Sequence, residues 1–419
     1  MKTWYGVGSL GESSNGSLEI RPRSSPAKGA TADDVSVSLT TTVSSKTFNA
    51  SPNAAAGALA EYIPGIMFQN FVGRALDSAH AATILGLQQI EQSSDKRTNL
   101  GVMEASGQPA SVLISVFDGA GKKLLDVPMA LAGGQHVQLN SFLAQNKISM
   151  TNGHIEVQAT SGEGKIMAYA SVVDNKSGDP IFVSGVPLGQ NASNNFVLLG
   201  AADLNTPNAA WRTSMSILNP TTSVQTAQLT LYPLSGGGAT QGATLSINPG
   251  EVKRLDNTLP TVFGVTNTGG AIHVTTASPV PLVVSGQTYN LTSNGSFSQL
   301  LNVVTPADAI GKGDAPLQVL QAEQSVRARV NLGIGEVTGN PATVEVTLFL
   351  PDSKVAPSTQ IPLPANGFIQ IPVIESFGLT NVYNARISLR VVDGTGKIGA
   401  YGSVIDMATQ APVGIPAQH

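Results

Sequence analysis

Apolar and polar positions alternate with a period of two over short runs, clearest in SVLISVFD from Ser111, AQLTLYPL from Ala227 and VEVTLFLP from Val344. That period places Ile114 and Val116, Leu229 and Leu231, and Val346 and Leu348 on one face, which predicts strands with one side buried and one wet. Such strands belong to antiparallel sheets. An arginine-led strand precedes each run, RTNLGV, RTSMSI and RARVNL, and an opening strand precedes that in turn: ATILGLQQ, FVLLGAAD and LQVLQAEQ. Turn-rich stretches follow, then HVQLNSF, EVKRLDN and FIQIPVI, then HIEVQA, AIHVTT and ARISLRV, and a last pair of strands.

The series keeps a fixed period. Arg97, Arg212 and Arg327 fall 115 residues apart (212 − 97 and 327 − 212), and Asp174, Asn290 and Asp406 fall 116 apart (290 − 174 and 406 − 290). A period that long is a whole small domain rather than a solenoid repeat, so each copy is expected to bury its own core. Short strands separated by turns every ~8–12 residues predict an all-β chain of tandem immunoglobulin-like antiparallel β-sandwich domains, in which no disulfide takes part. The expected division is a Ser/Thr-rich N-terminal segment over 1–60, then sandwiches over 61–190, 191–310 and 311–419.

The closest internal match joins GEGKIMAYASVVDN from Gly162 to GTGKIGAYGSVIDM from Gly394; the middle copy reads SPVPLVVSGQTYN there and lacks the Gly-x-Gly-Lys turn. Ahead of the copies, the run from Val35 to Thr41 alternates, and SNGSL at 14–18 echoes SNGSF at 293–297, as though the chain opened inside the tail of an earlier repeat. YIPGIMFQNFVGRAL, from Tyr62 to Leu76, is the most apolar stretch and has no later counterpart. It reads as a strand and a short helix through His80 packed on the first sandwich, with a membrane or partner contact as the sharper alternative.

WRTSMSILNP from Trp211 to Pro220, with AQLTLYPL, INPGEVKRLDN, VFGV, GGAIHV and SGQTYN after it, resembles a β-sandwich domain repeated in large secreted or surface-exposed bacterial proteins. The middle copy fits best, while the outer two lack Asn-Pro. The resemblance spans about three quarters of the chain and implies an extracellular setting. It implies no chemistry, so no functional residue is carried over.

Composition agrees with strands and tight turns: 44 Gly and 25 Pro among 419 residues, with 12% charged and 5% aromatic side chains. A net charge of −4 supplies no basic field for a phosphate backbone, which argues against nucleic acid and against an anionic membrane surface. With no cysteine, disulfides, thiolate metal sites and thiol catalysis are excluded. The opening MKTWYGVGSLGESSNG has no apolar signal-peptide core, and no run is long enough for a membrane span.

Chemical motifs are weak. Gly6, Gly8 and Gly11 form G-x-G-x-x-G without the strand and helix a dinucleotide fold needs. Lys122, Lys165 and Lys397 sit in hairpin turns. His80, His136, His154, His273 and His419 show no metal-ligand spacing, and no G-x-S-x-G elbow marks a serine nucleophile. DNKSGD, with Asp174, Asn175, Ser177 and Asp179, gathers oxygens but lacks the calcium-loop ladder, so an Asx turn is the simpler account. The repeated arginines read as register locks paired with a carboxylate or carbonyl. Trp211 reads as buried at a domain junction, or else as a sugar platform. The sequons at Asn15, Asn49, Asn175, Asn191, Asn290 and Asn294 match chance in so Asn/Ser/Thr-rich a chain. No catalytic, cofactor or metal residue is assigned. The expected role is a non-enzymatic extracellular or cell-surface array serving as stalk, spacer or adhesive module of a larger bacterial protein. The alternatives are a carbohydrate- or peptide-binding module using Trp211, Tyr169 or Tyr289, and a self-associating filament or layer joined through sheet edges.

Overall fold

The computed structural model describes residues 44–50, 58–75, 84–234, 239–301, 303–352, 354 and 358–418. With 62% of the chain in strand and 5% in helix, the fold is all-β, and every strand pair is antiparallel. Two strands come first, β1 (Ser44–Ala50) and β2 (Ala58–Pro64), paired as a hairpin. A 3-10 turn at Phe68–Asn70 follows; the helix anticipated through His80 lies in 76–83, outside the described residues.

The next strands are β3 (Ile84–Leu87), β4 (Lys96–Glu104), β5 (Ala110–Asp118), β6 (Lys123–Leu131), β7 (His136–Leu139), β8 (Gly153–Gly162), β9 (Ile166–Asp174), β10 (Pro180–Ser184) and β11 (Val186–Pro187). They form two sheets, ordered β6-β5-β8-β3-β11 and β7-β4-β9-β10. Leu87, Ile114, Val116 and Ile155 from one sheet meet Leu100, Val102, Ala168 and Ala170 from the other in a single buried cluster. The predicted inward positions of β5 are therefore the core positions.

After these come β12 (Ser193–Thr206), β13 (Ala209–Leu218), β14 (Gln225–Pro233), β15 (Thr240–Ile247), β16 (Val252–Leu255), β17 (Thr268–Val280), β18 (Val283–Thr292), β19 (Gly295–Leu301) and β20 (Val303–Val304). Their orders are β15-β14-β17-β12 and β16-β13-β18-β19, with β20 on β12. Here β12 is long enough, at 14 residues, to pair with β17 along most of its length and with β13 through Leu204–Thr206, so the two sheets share hydrogen bonds at one end. The last group is β21 (Leu317–Gln324), β22 (Ala328–Glu336), β23 (Ala342–Phe349), β24 (Thr359–Leu363), β25 (Phe368–Ile371), β26 (Val382–Gly394), β27 (Ile398–Asp406) and β28 (Pro412–Pro416), ordered β24-β23-β26-β21 and β25-β22-β27-β28. Each group encloses a cluster of its own. Apart from the two-residue strands β11 and β20, which have no counterpart described in the third group, the strand order of the sheets is the same in all three.

Register corrects one landmark. Arg97 lies opposite Val173, next to the Lys96–Asp174 pair, and Arg212 lies opposite Tyr289, next to Trp211–Asn290. In the third group the residue in that register is Arg329, opposite Ile405 and next to Ala328–Asp406. Arg327 lies in the bend ahead of β22. An arginine two positions away in RAR preserved the numerical beat while the strand slipped past it.

Candidate functional site

The polar residues that recur hold loops. Glu104, at the end of β4 and 1% exposed, accepts bonds from the Ser106, Gly107, Gly134 and Lys165 N–H groups at 2.6–3.0 Å, and from the Ser106 hydroxyl. Three separate turns thus close on one carboxylate. Burial pushes its pKa up, but the Ser106 hydroxyl and these N–H groups outweigh that and hold it down at about 2. Glu336 does the same at the end of β22, receiving the N–H groups of Thr338, Gly339, Asn340 and Asn366 at 2.7–3.1 Å and that of Lys397 at 3.3 Å. In the middle sandwich Asn219 stands there, fully buried, donating to the Ser223 and Ile247 carbonyls and accepting from Thr221. The Gly-x-Gly-Lys turns occur where the glutamate occurs. That shared absence in the middle copy was the sequence signal for this clasp, and motif reading missed it.

The arginines take partners that lie beside the Asp/Asn beat rather than on it. Arg97 donates to Asn175 (2.8 Å) and Arg329 to Gln410 (3.1 Å), while Arg212 donates to Asn205 (2.9 Å) and to its neighbour's carbonyl and pairs with the Asp203 carboxylate (3.6 Å), as expected of a register lock. Asp174 accepts from the Lys176 and Ser177 N–H groups, and Asp406 from those of Ala408 and Thr409, so both close the turn between their last two strands. DNKSGD is thus an Asx turn whose first carboxylate is already engaged by N–H donors. Among the described residues no cluster of His, Asp and Glu could hold a metal ion. Nor is any helix among them long and apolar enough to cross a membrane.

His154 is buried and stacked on Phe117, and His273 is buried beside Tyr232, where burial lowers its pKa to about 4. His136 is half-buried at 2.9 Å from the Tyr169 hydroxyl. His80 and His419 lie outside the described residues, as do Gly6, Gly8 and Gly11. Trp211 alternates with the buried Thr213, Met215 and Ile217 of β13, which puts it on the core side of its sheet, half-buried at the sandwich end.

What the sequence could not locate is where sandwiches meet. A narrow recess, partly open to solvent, lies between the first and second and is lined by Gln89, Glu91, Lys96, Arg254 and Gln287. Arg254 reaches across it to Glu91 (3.0 Å) and the Thr151 carbonyl, while its Nε holds Asp256 (2.7 Å). Burial lowers the Lys96 pKa against the pull of Glu91.

A second recess, also open, lies where β2, β10, β19 and β28 converge. Beside it Asp179, 2% exposed, accepts the Ser298 N–H at 2.6 Å through one oxygen and leaves the other without a partner. Burial, reinforced by the Asp174 and Glu61 charges, pushes its pKa up to about 8. Asp174 crosses the same junction to the Ser296 N–H (3.0 Å) and hydroxyl (2.8 Å). These groups bind sandwich to sandwich. Comparison with protein families and with curated proteins finds no match.

Proposed function

We propose that the chain is a non-catalytic tandem array of three β-sandwich domains that serves outside a bacterial cell as a spacer or adhesive module of a larger protein. The observation that carries this reading is that the repeated polar side chains, Glu104, Glu336, Asn219 and the Asp/Asn series, use their hydrogen bonds inside the fold. None of them is left to act on a substrate. The repetition of one strand order supports the tandem division. An immunoglobulin-like kinship is supported by two pairings: in each sandwich the second strand neighbours the fifth and the third neighbours the sixth, as in immunoglobulin sheets. The first, fourth and seventh strands sit on opposite sheets from their places there.

Of the roles open to such an array, the packing favours a compact module over an extended stalk. Strand β2 touches the first sandwich through Glu61 and Ser171 (3.0 Å) and the third through Tyr62 and Gln418 (3.1 Å). Stretching single molecules tests the array: three unfolding steps of about 35–40 nm each are expected, since some 105–115 residues extend at ~3.4 Å apiece. One cooperative rupture, or turnover in a hydrolase panel, overturns the proposal.

A further inference from the structure

Both internal junctions are built alike. Leu87 of β3 lies opposite Ile155, Leu198 of β12 opposite Ile272 and Val319 of β21 opposite Ile387, so the first strands of the three sandwiches align on these residues. The two residues after them point at the next sandwich. Gln88 and Gln89 donate to Ser285 of β18 at 2.6 Å. Leu199 and Gly200 press on Gly335 and Tyr401 of the third sandwich, where Leu199 and Tyr401 join a buried cluster with Phe368. Ser285 and Tyr401 occupy one register, each four residues along from the arginine position of the neighbouring strand: opposite Ser216 after Arg212, and opposite Gly333 after Arg329.

The first sandwich carries this socket, and among the described residues no sandwich is seated on it. Tyr169 lies opposite Gly101 in the same register, its ring over the glycine as Tyr401 lies over Gly333. Tyr169 donates to Gln138 (3.1 Å) as Tyr401 donates to Gln370 (2.8 Å), and His136 stands where Phe368 stands. Under the second sandwich Tyr401 is 7% and Phe368 3% exposed, whereas Tyr169 and His136 remain half-exposed. At the other end of the array Leu320 repeats the position of Leu199 and is half-exposed too.

The chain thus has a socket at one end and a matching projection at the other, the condition for head-to-tail association. Strand β2 stands in the way. Glu61 bonds Ser171 just as Gln299 of β19 bonds Ser403 one junction on, so β2 takes the place that β19 of the preceding sandwich holds there. Building on the array reading, we infer that the Tyr169 face is a docking surface for the third sandwich of a second copy, and that β2 caps it.

Sedimentation velocity of the full chain tests this. The wild type is expected to stay monomeric. Ala60→Arg cannot seat β2 against the third sandwich, where Ala60 is 6% exposed, and is expected to form species that grow with concentration. Adding Leu320→Arg to it should restore the monomer, and mixing that double variant with wild type should give a 1:1 dimer and nothing larger. A discrete dimer separates docking from aggregation, and Tyr62→Asp offers a second way to release β2 should Ala60→Arg misfold. Released chains that stay monomeric, a wild type that polymerises equally, or growth unaffected by Leu320→Arg overturns the inference. None of these outcomes depends on the stretching result that tests the array itself.

Discussion

At the residue scale, two buried carboxylates have opposite electrostatic surroundings and should respond to pH in opposite ways. Glu104 has its pKa held at about 2, so its contribution is complete above the ordinary glutamate value of 4.5 and is lost as pH falls toward about 2. Glu104→Gln turns an amide N–H toward backbone donors and is expected to cost about 3 kcal/mol in urea unfolding at neutral pH. Asp179 is raised from 3.8 to about 8, so stability should decline as pH rises across that interval, when the proton must leave a carboxyl sealed against Ser298. Asp179→Asn keeps the accepting oxygen and removes the ionisation. It should flatten the decline and stabilise the protein above about pH 8 by an amount on the order of a few kcal/mol, read from melts across pH. A variant whose melting point still falls with pH as steeply as wild type would remove Asp179 from the account. Neither carboxylate stands out by itself: Glu104 sits at a strand end, where only the Gly-x-Gly-Lys turn it shares with Glu336 hints at the turns closing on it, and Asp179 reads with its own loop, while its partner lies on β19.

At the element scale the strands were legible because one face of each is buried and the two-residue period records that directly; Ile114, Leu229 and Val346 were placed inward from the pattern and are fully buried. Register was less legible. Arg327 and Arg329 differ by one pleat repeat, and spacing cannot choose between them when strands differ in length and the opening strands carry bulges, as β12 and β21 do. The middle sandwich shows what replaces a lost motif: Asn219 supplies with its amide what Glu104 and Glu336 supply with a charge. Asn219→Ala would leave the Ile247 and Ser223 carbonyls without that partner and should destabilise the second sandwich by about 2–3 kcal/mol. The reading is the second of the three steps when single molecules are stretched, and an unchanged trace would show the clasp to be ornamental.

For the whole molecule, the decisive element is the one the sequence placed least well. Strand β1 and the start of β2 fall in the Ser/Thr-rich segment expected over 1–60, while Tyr62–Pro64 opens the apolar stretch expected to pack on the first sandwich, and neither pattern tells that β2 also reaches the third. Yet Ala60 and Tyr62 pack on the third sandwich and Glu61 bonds the first, so the ends of the array are drawn to a common centre where β10, β19 and β28 also meet. Overall size follows from that convergence. A compact chain of 419 residues has a radius of gyration of about 22 Å, whereas three sandwiches of roughly 40 Å strung end to end give about 35 Å. Small-angle scattering of the wild type should fall close to the compact value, somewhat above it because the lobes leave open recesses between them. Ala60→Arg, measured dilute enough to remain monomeric, should move toward the extended value, since the Asp174 and Arg254 contacts join only the first sandwich to the second. A wild type already near 35 Å would mean that β2 does not hold the ends together in solution, and that reach is the array's purpose.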